Sequence, residues 1–259
     1  MLYLKSDEEI NLIKLSGDLL GRTHAEVARI IKPGVKTKEL DKIAFEFIND
    51  HKARPSFLNY NGFPASLCIS VNEVVVHGIP SNRTLIEGDI VSIDCGVYMN
   101  KFHADSAYTY EVGIVSDEVK KLLRITKESL YEGISQARAG NRVGDVASSI
   151  QTYCENNGYG VVRELVGHGV GKHLHESPEV PNFGKRGNGP KLVEGMVIAI
   201  EPMINLGGRA VSQENDGWTI RTNDKRHSAH FEHTVAIRKG SAEILTTFKY
   251  IEEVLNKVV

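Results

Sequence analysis

The 259-residue chain carries 31 Lys and Arg against 33 Asp and Glu, a formal charge of −2, and is 41% hydrophobic, as an ordinary globular protein is. Near-neutral charge gives no reason to expect a nucleic-acid footprint over the whole surface, leaving room for a local basic patch. Cys68, Cys95 and Cys154 stand far apart with no CxxC spacing, and neither a signal peptide nor a long apolar run is legible, so a reducing, cytoplasmic setting without a membrane span is expected.

Ser6 followed by Glu9 is a capping box, and Ile10, Ile13, Leu20, Val27 and Ile31 recur at helical spacing until Pro33 and Gly34. Thr37 is expected to cap a second helix to about Lys52, with Leu40, Ile43, Ala44 and Phe47 as its apolar stripe. Residues 55–80 mix aromatic and turn-forming residues before two short strands, Leu67 to Val71 and Glu73 to Val76. His77 then stands beside Gly78, either a satisfied structural histidine or a catalytic one.

Asp89 to Ser106 reads as a β-hairpin turning near Met99 and Asn100, which would pair Tyr98 with Lys101, Gly96 with His103 and Asp94 with Asp105. Two carboxylates directly opposite repel. Either one of them faces solvent, or a divalent cation with oxygen ligands sits between them.

Helices are expected from Ser116 and Asp117 to about Ala137 and from Val143 to Asn156. Asn157 and Gly158 break the second, and Tyr159 to Val166 reads as strand. GHGVGKHLHESP follows, with His168, His173 and His175 in a glycine-rich segment where backbone and imidazole can approach a ligand. Pro181 to Lys191 is a loop, Leu192 to Met203 a strand through Glu201, and Asp216 to Arg238 a sheet region with Glu232 inside it. Phe248 to Val259 suits a short helix.

Residues 85–94, LIEGDIVSID, match residues 192–201, LVEGMVIAIE, each copy ending on a carboxylate, and VHGI at 76–79 resembles GHGV at 167–170. The second copy is longer between these motifs, where the Gly and Pro-rich loop lies. A period of about 100 residues is too long for a solenoid and points to two related halves of one domain. A pseudo-twofold would bring Asp94 and Glu201 to one cleft, with His77, His168, Asp105 and Glu232, an oxygen-rich, sulfur-free set suited to a pair of Mn, Fe, Co or Zn ions.

The ordered set HGIP, Asp94 and Asp105, GHGVGKHLHESP, AIEP and HFEHT resembles the type I methionine aminopeptidases over essentially the whole chain. That resemblance implies an α+β pita-bread fold, an antiparallel sheet in two pseudo-symmetric halves (about 6–112 and 113–240, plus a C-terminal segment) with helices on its outer face. It implies two divalent ions, Asp94 chelating one, His168 and Glu201 the other, with Asp105 and Glu232 bridging. Glu201 would shuttle the proton, His175 would polarise the scissile carbonyl, and His77 would lie near the leaving amine. The methionine pocket maps onto Tyr60, Phe63, Cys68, Leu174 and Trp218, with departures from the common family residues at Asn61, Phe63 and Leu174.

The implied substrate is the N-terminus of a nascent polypeptide with a small second residue, met near the ribosome by a cytoplasmic, monomeric enzyme. Leu2 is large, so the chain's own Met1 is expected to be retained. Cys95 is expected in the core, and His103 and His230 in supporting or structural places. Two other readings are an Xaa-Pro peptidase of the same fold and a non-catalytic binding protein, though the latter would be expected to have lost ligands that this chain keeps.

Overall fold

The computed structural model describes residues 2–256; Met1 and the last three residues of the helix expected over 248–259 lie outside them. In the first half, α1 (Asp7–Ala28) and α2 (Thr37–Asp50) precede β1 (Arg54–Pro55), β2 (Leu67–Val71), β3 (Val74–Val76), β4 (Ile90–Met99) and β5 (Phe102–Glu111). Ser6 caps α1 with its hydroxyl on the Glu9 amide, while the Glu9 carboxylate accepts from the Ser6 amide. Lys36 takes the cap position of α2, one residue before the expected Thr37, whose hydroxyl instead exchanges hydrogen bonds with Ser81.

The second half repeats the order. α3 (Asp117–Gln136) and α4 (Val143–Asn156) have 20 and 14 residues against 22 and 14 in α1 and α2. Ten short strands follow: β6 (Gly160–Val161), β7 (Gly167–Gly169), β8 (Glu176–Val180), β9 (Val197–Ile200), β10 (Met203–Asn205), β11 (Val211–Gln213), β12 (Ile220–Thr222), β13 (Ser228–His230), β14 (His233–Ala236) and β15 (Glu243–Ile244). A closing helix, α5 (Lys249–Leu255), packs on α1.

All strand pairs are antiparallel, with β2 and β5 flanking β4 in one sheet and the order β15-β14-β9-β7-β8 in another. One continuous core joins α1 to α4 with the sheets, with Cys95 fully buried in it as expected. The three cysteines are free. No helix among the described residues is long and apolar enough to cross a membrane.

Several expected strands are shorter. Tyr159 to Val166 retains only β6, and the run from Leu192 divides into β9 and β10 around Glu201 and Pro202. Proline has no N–H to continue a ladder, so a break there is physically natural. Glu232 falls in the matching break between β13 and β14, not inside a strand.

The hairpin register also differs from the expected one. Its turn lies on Asn100 and Lys101, both with positive φ, so Met99 pairs with Phe102, Gly96 with Asp105 and Asp94 with Ala107. A two-residue shift in pairing preserves the face, and Asp94 and Asp105 become diagonal neighbours on the same side of the sheet.

A candidate metal centre and its cavity

A seam of hydroxyls joins the halves beside the carboxylates. Thr234 Oγ1 accepts from the Asp105 amide at 3.0 Å and donates to the Asp105 carbonyl at 2.8 Å. Ser106 Oγ donates to the Glu232 carbonyl at 2.9 Å, and the Glu232 amide donates to the Ala107 carbonyl at 2.9 Å. Asp105 and Glu232 therefore meet through backbone that each half fixes for the other.

In the second half one register runs through the break: Ile200 pairs with His233 before it and Met203 with His230 after it. Glu201 thus falls opposite Glu232. His168 enters from β7, between two glycines. A Cβ on Gly167 would lie 2.4 Å from the Ala199 carbonyl oxygen, and one on Gly169 would lie 2.5 Å from that of Ser177. The GHG motif is thus a demand of close backbone packing around the imidazole.

His168 Nε2 lies 3.8 Å from Asp105 Oδ2 and 3.7 Å from Glu201 Oε1. Its Nδ1 is 2.9 Å from the Gly169 carbonyl, which accepts its proton and leaves Nε2 as a lone-pair donor facing the carboxylates. Asp105, His168 and Glu232 each offer one ligand atom within 4.8 Å of the others.

Burial raises all four carboxyl pKa values, that of Asp94 to about 7 and those of Asp105, Glu201 and Glu232 well above the ordinary range, with the neighbouring carboxylates adding to the rise for the last three. Asp94 Oδ1, Glu232 Oε1 and His230 Nε2 are buried without a hydrogen-bond partner. Crowded carboxyls with orphaned oxygens and a correctly oriented imidazole fit hard or borderline divalent cations.

A cavity of about 440 Å³ opens over this cluster, and its lining includes every residue assigned to the site from sequence. Phe63, Cys68 and Leu174 form a buried apolar wall with Phe57 and Ala65, and Tyr60, Ile79 and Trp218 pack against it. The Phe63 and Trp218 rings meet edge to face at 5.2 Å. Cys68 is paired with Asp94 across β2 and β4, which puts the apolar wall and the carboxylates on one surface.

His77 has φ +58°, a rare backbone state for a residue with a side chain, and burial lowers its pKa to about 4. Burial also lowers the pKa of His175. Both imidazoles are thus neutral near pH 7. His175 lies with its ring centre 4.1 Å from that of His168 and with Nδ1 2.7 Å from the Tyr60 hydroxyl.

Sequence reading missed Phe57, Val76, the 164–166 segment and Met203 in the lining. Met203 stands two residues after Glu201, and Phe57 belongs to the aromatic stretch before the pocket residues; both were discernible. The 164–166 segment carried no such signal. His103 instead lies with Nδ1 2.9 Å from Ser56 Oγ, and buried His230 places Nε2 3.7 Å from Glu201 Oε2.

The profile of metallopeptidase family M24 matches residues 11–239. A methionine aminopeptidase of Clostridium perfringens is 53% identical, covering 96% of this chain and all of that protein. Methionine aminopeptidase 1 of Bacillus subtilis is 51% identical over 95% of this chain and 99% of its own length. The crystal structure of methionine aminopeptidase from Rickettsia prowazekii superposes with a TM-score of 0.94 at 39% identity, covering 95% of this chain and all of that one. The chain belongs to the M24 metallopeptidases and, within them, to the bacterial-type methionine aminopeptidase family.

Proposed function

We propose that this protein hydrolyses the first peptide bond of polypeptides that begin with methionine and carry a small second residue. The observation that carries this reading is one cavity with a carboxylate and imidazole wall beside an apolar wall. The apolar wall receives the methionine side chain, and the acidic wall favours a free terminal amine, which confines cleavage to the chain end.

Asp94, Asp105, His168, Glu201 and Glu232 would hold two divalent cations, with Asp105 and Glu232 between them. Such cations supply an acidified, oriented water and positive charge opposite the developing oxyanion. Glu201 takes the proton of the attacking water and passes it towards the leaving amine. His175, neutral, donates from its free nitrogen to the scissile carbonyl oxygen. His77, also neutral, lies by Trp218 and hydrogen-bonds the leaving nitrogen.

Co, Mn, Fe and Zn all suit this donor set, and availability decides among them. We place the reaction in the cytoplasm, on chains emerging from the ribosome, and carried out by a monomer whose single domain comprises both halves. A panel of Met-Gly, Met-Leu and Ala-Pro peptides offered to metal-reconstituted protein tests the reading. Chelator-sensitive turnover of Met-Gly above the others is expected, and turnover of Ala-Pro alone would replace the reading with an Xaa-Pro peptidase.

A further inference from the structure

Tyr60 belongs to the pocket wall, yet its hydroxyl points at a histidine and not into the apolar cluster. The 2.7 Å contact joins that hydroxyl to His175 Nδ1, with the two rings 5.1 Å apart and inclined by 35°. The turn that delivers Tyr60 is built for the purpose: Asn59, Asn61 and Gly62 have φ of +64°, +48° and +87°. It is pinned by the Asn59 amide on the Phe63 carbonyl at 2.8 Å and by the Phe63 amide on the Tyr60 carbonyl at 2.9 Å. Non-glycine residues in the left-handed region persist where surrounding structure holds them, and here they aim one side chain.

Direction decides the chemistry. A phenol can donate to Nδ1 or accept from it, and the two choices place the imidazole proton on opposite nitrogens. A phenol is a stronger donor than acceptor and a bare imidazole nitrogen is a strong acceptor, so at 2.7 Å the phenol hydrogen lies towards His175 Nδ1. With Nδ1 engaged as acceptor, the proton of neutral His175 stays on Nε2. The opposite tautomer would leave Nε2 a bare acceptor, unable to donate to a carbonyl and able to compete with the neighbouring His168 for a cation.

We propose that Tyr60 is a positioning residue, its phenol donating to His175 Nδ1 so that Nε2–H is held ready for the scissile carbonyl oxygen. This assignment rests on the aminopeptidase reading for its purpose, though the tautomer itself can be seen without turnover.

The test is a long-range proton–nitrogen correlation spectrum of metal-free protein carrying 15N-histidine, with steady-state kinetics on a Met-Gly peptide after metal loading. In the unsubstituted protein His175 should show a pyrrole-type Nε2 and a pyridine-type Nδ1. Tyr60→Phe should lose that single-tautomer pattern, and kcat should fall about 10-fold to 100-fold with KM unchanged, the signature of an interaction made in the transition state. A His175 proton found on Nδ1, or a spectrum and kcat unaltered in Tyr60→Phe, would overturn the proposal. If Tyr60 controls the tautomer but no methionyl peptide is cleaved, the hydrogen-bond assignment stands and the aminopeptidase reading fails.

Discussion

The two halves of the molecule present the same pair of carboxylates on differently built strands. In the first half β4 and β5 run unbroken for 10 residues each, and Asp94 and Asp105 stand diagonally on an intact ladder. In the second half the ladder breaks at the carboxylates themselves, between β9 and β10 and between β13 and β14, and Glu201 faces Glu232 across the gap. Glutamate carries one methylene more than aspartate. We read the difference as compensation: short acids suit a rigid hairpin, and longer acids can converge from interrupted strands.

If the halves are equivalent in this sense, Asp105→Asn and Glu232→Gln should behave alike. Each would remove one of the two charges proposed to bridge the cations, and each should cut methionine release more than about 100-fold, beyond what loss of a merely supporting residue costs. Metal content measured on the same samples should fall for both. Normal turnover and metal content in either variant would break the equivalence and the bridging assignment together.

The two halves are also joined by a buried ion pair. Lys5, from the segment before α1, lies 2.6 Å from Glu176 with both side chains buried, and the other Glu176 oxygen accepts from the His173 amide at 3.1 Å. Lys5→Met would strand a buried carboxylate and should cost about 3 kcal/mol in denaturant unfolding. Adding Glu176→Gln should restore part of it. At the seam, Thr234→Val forfeits both hydrogen bonds with the Asp105 backbone and should cost about 1–3 kcal/mol, read by the same method.

The smallest effect concerns pH. His24, between α1 and β5, and His233, beside Tyr131 of α3, are buried, and burial lowers their pKa values to about 4 and about 3. Unfolded histidine binds its proton near pH 6.5. Their contribution is therefore fully present above that pH and is lost as the pH falls from about 6.5 towards about 4 for His24 and about 3 for His233. His24→Gln should flatten this acid limb of thermal stability, and an unchanged slope would deny His24 its part in it.

Much of this organisation was legible because it rests on local chemistry. The Ser6 and Glu9 box starts α1, and Val143 to Asn156 matches α4 at both ends. The repeated strand ending in Asp94 and Glu201 located the cleft before any coordinates. What sequence could not supply was register and continuity. The turn moved onto Asn100 and Lys101 because both could take left-handed backbone, and the 192–203 strand broke at Pro202 while its apolar pattern ran on. The Ser106 and Thr234 seam was also hidden, since hydroxyls next to the carboxylates look like ordinary strand residues until the two halves are placed together.

The central claim is that both halves are needed to hold the cations on which hydrolysis depends. Metal-free protein, titrated with Mn or Co while bound metal and Met-Gly hydrolysis are followed on one sample, tests it most directly. The account predicts no hydrolysis without metal, recovery on addition, and up to two ions bound per chain in the intact protein, with both lost in Asp105→Asn. Hydrolysis that persists in rigorously metal-free protein would contradict it.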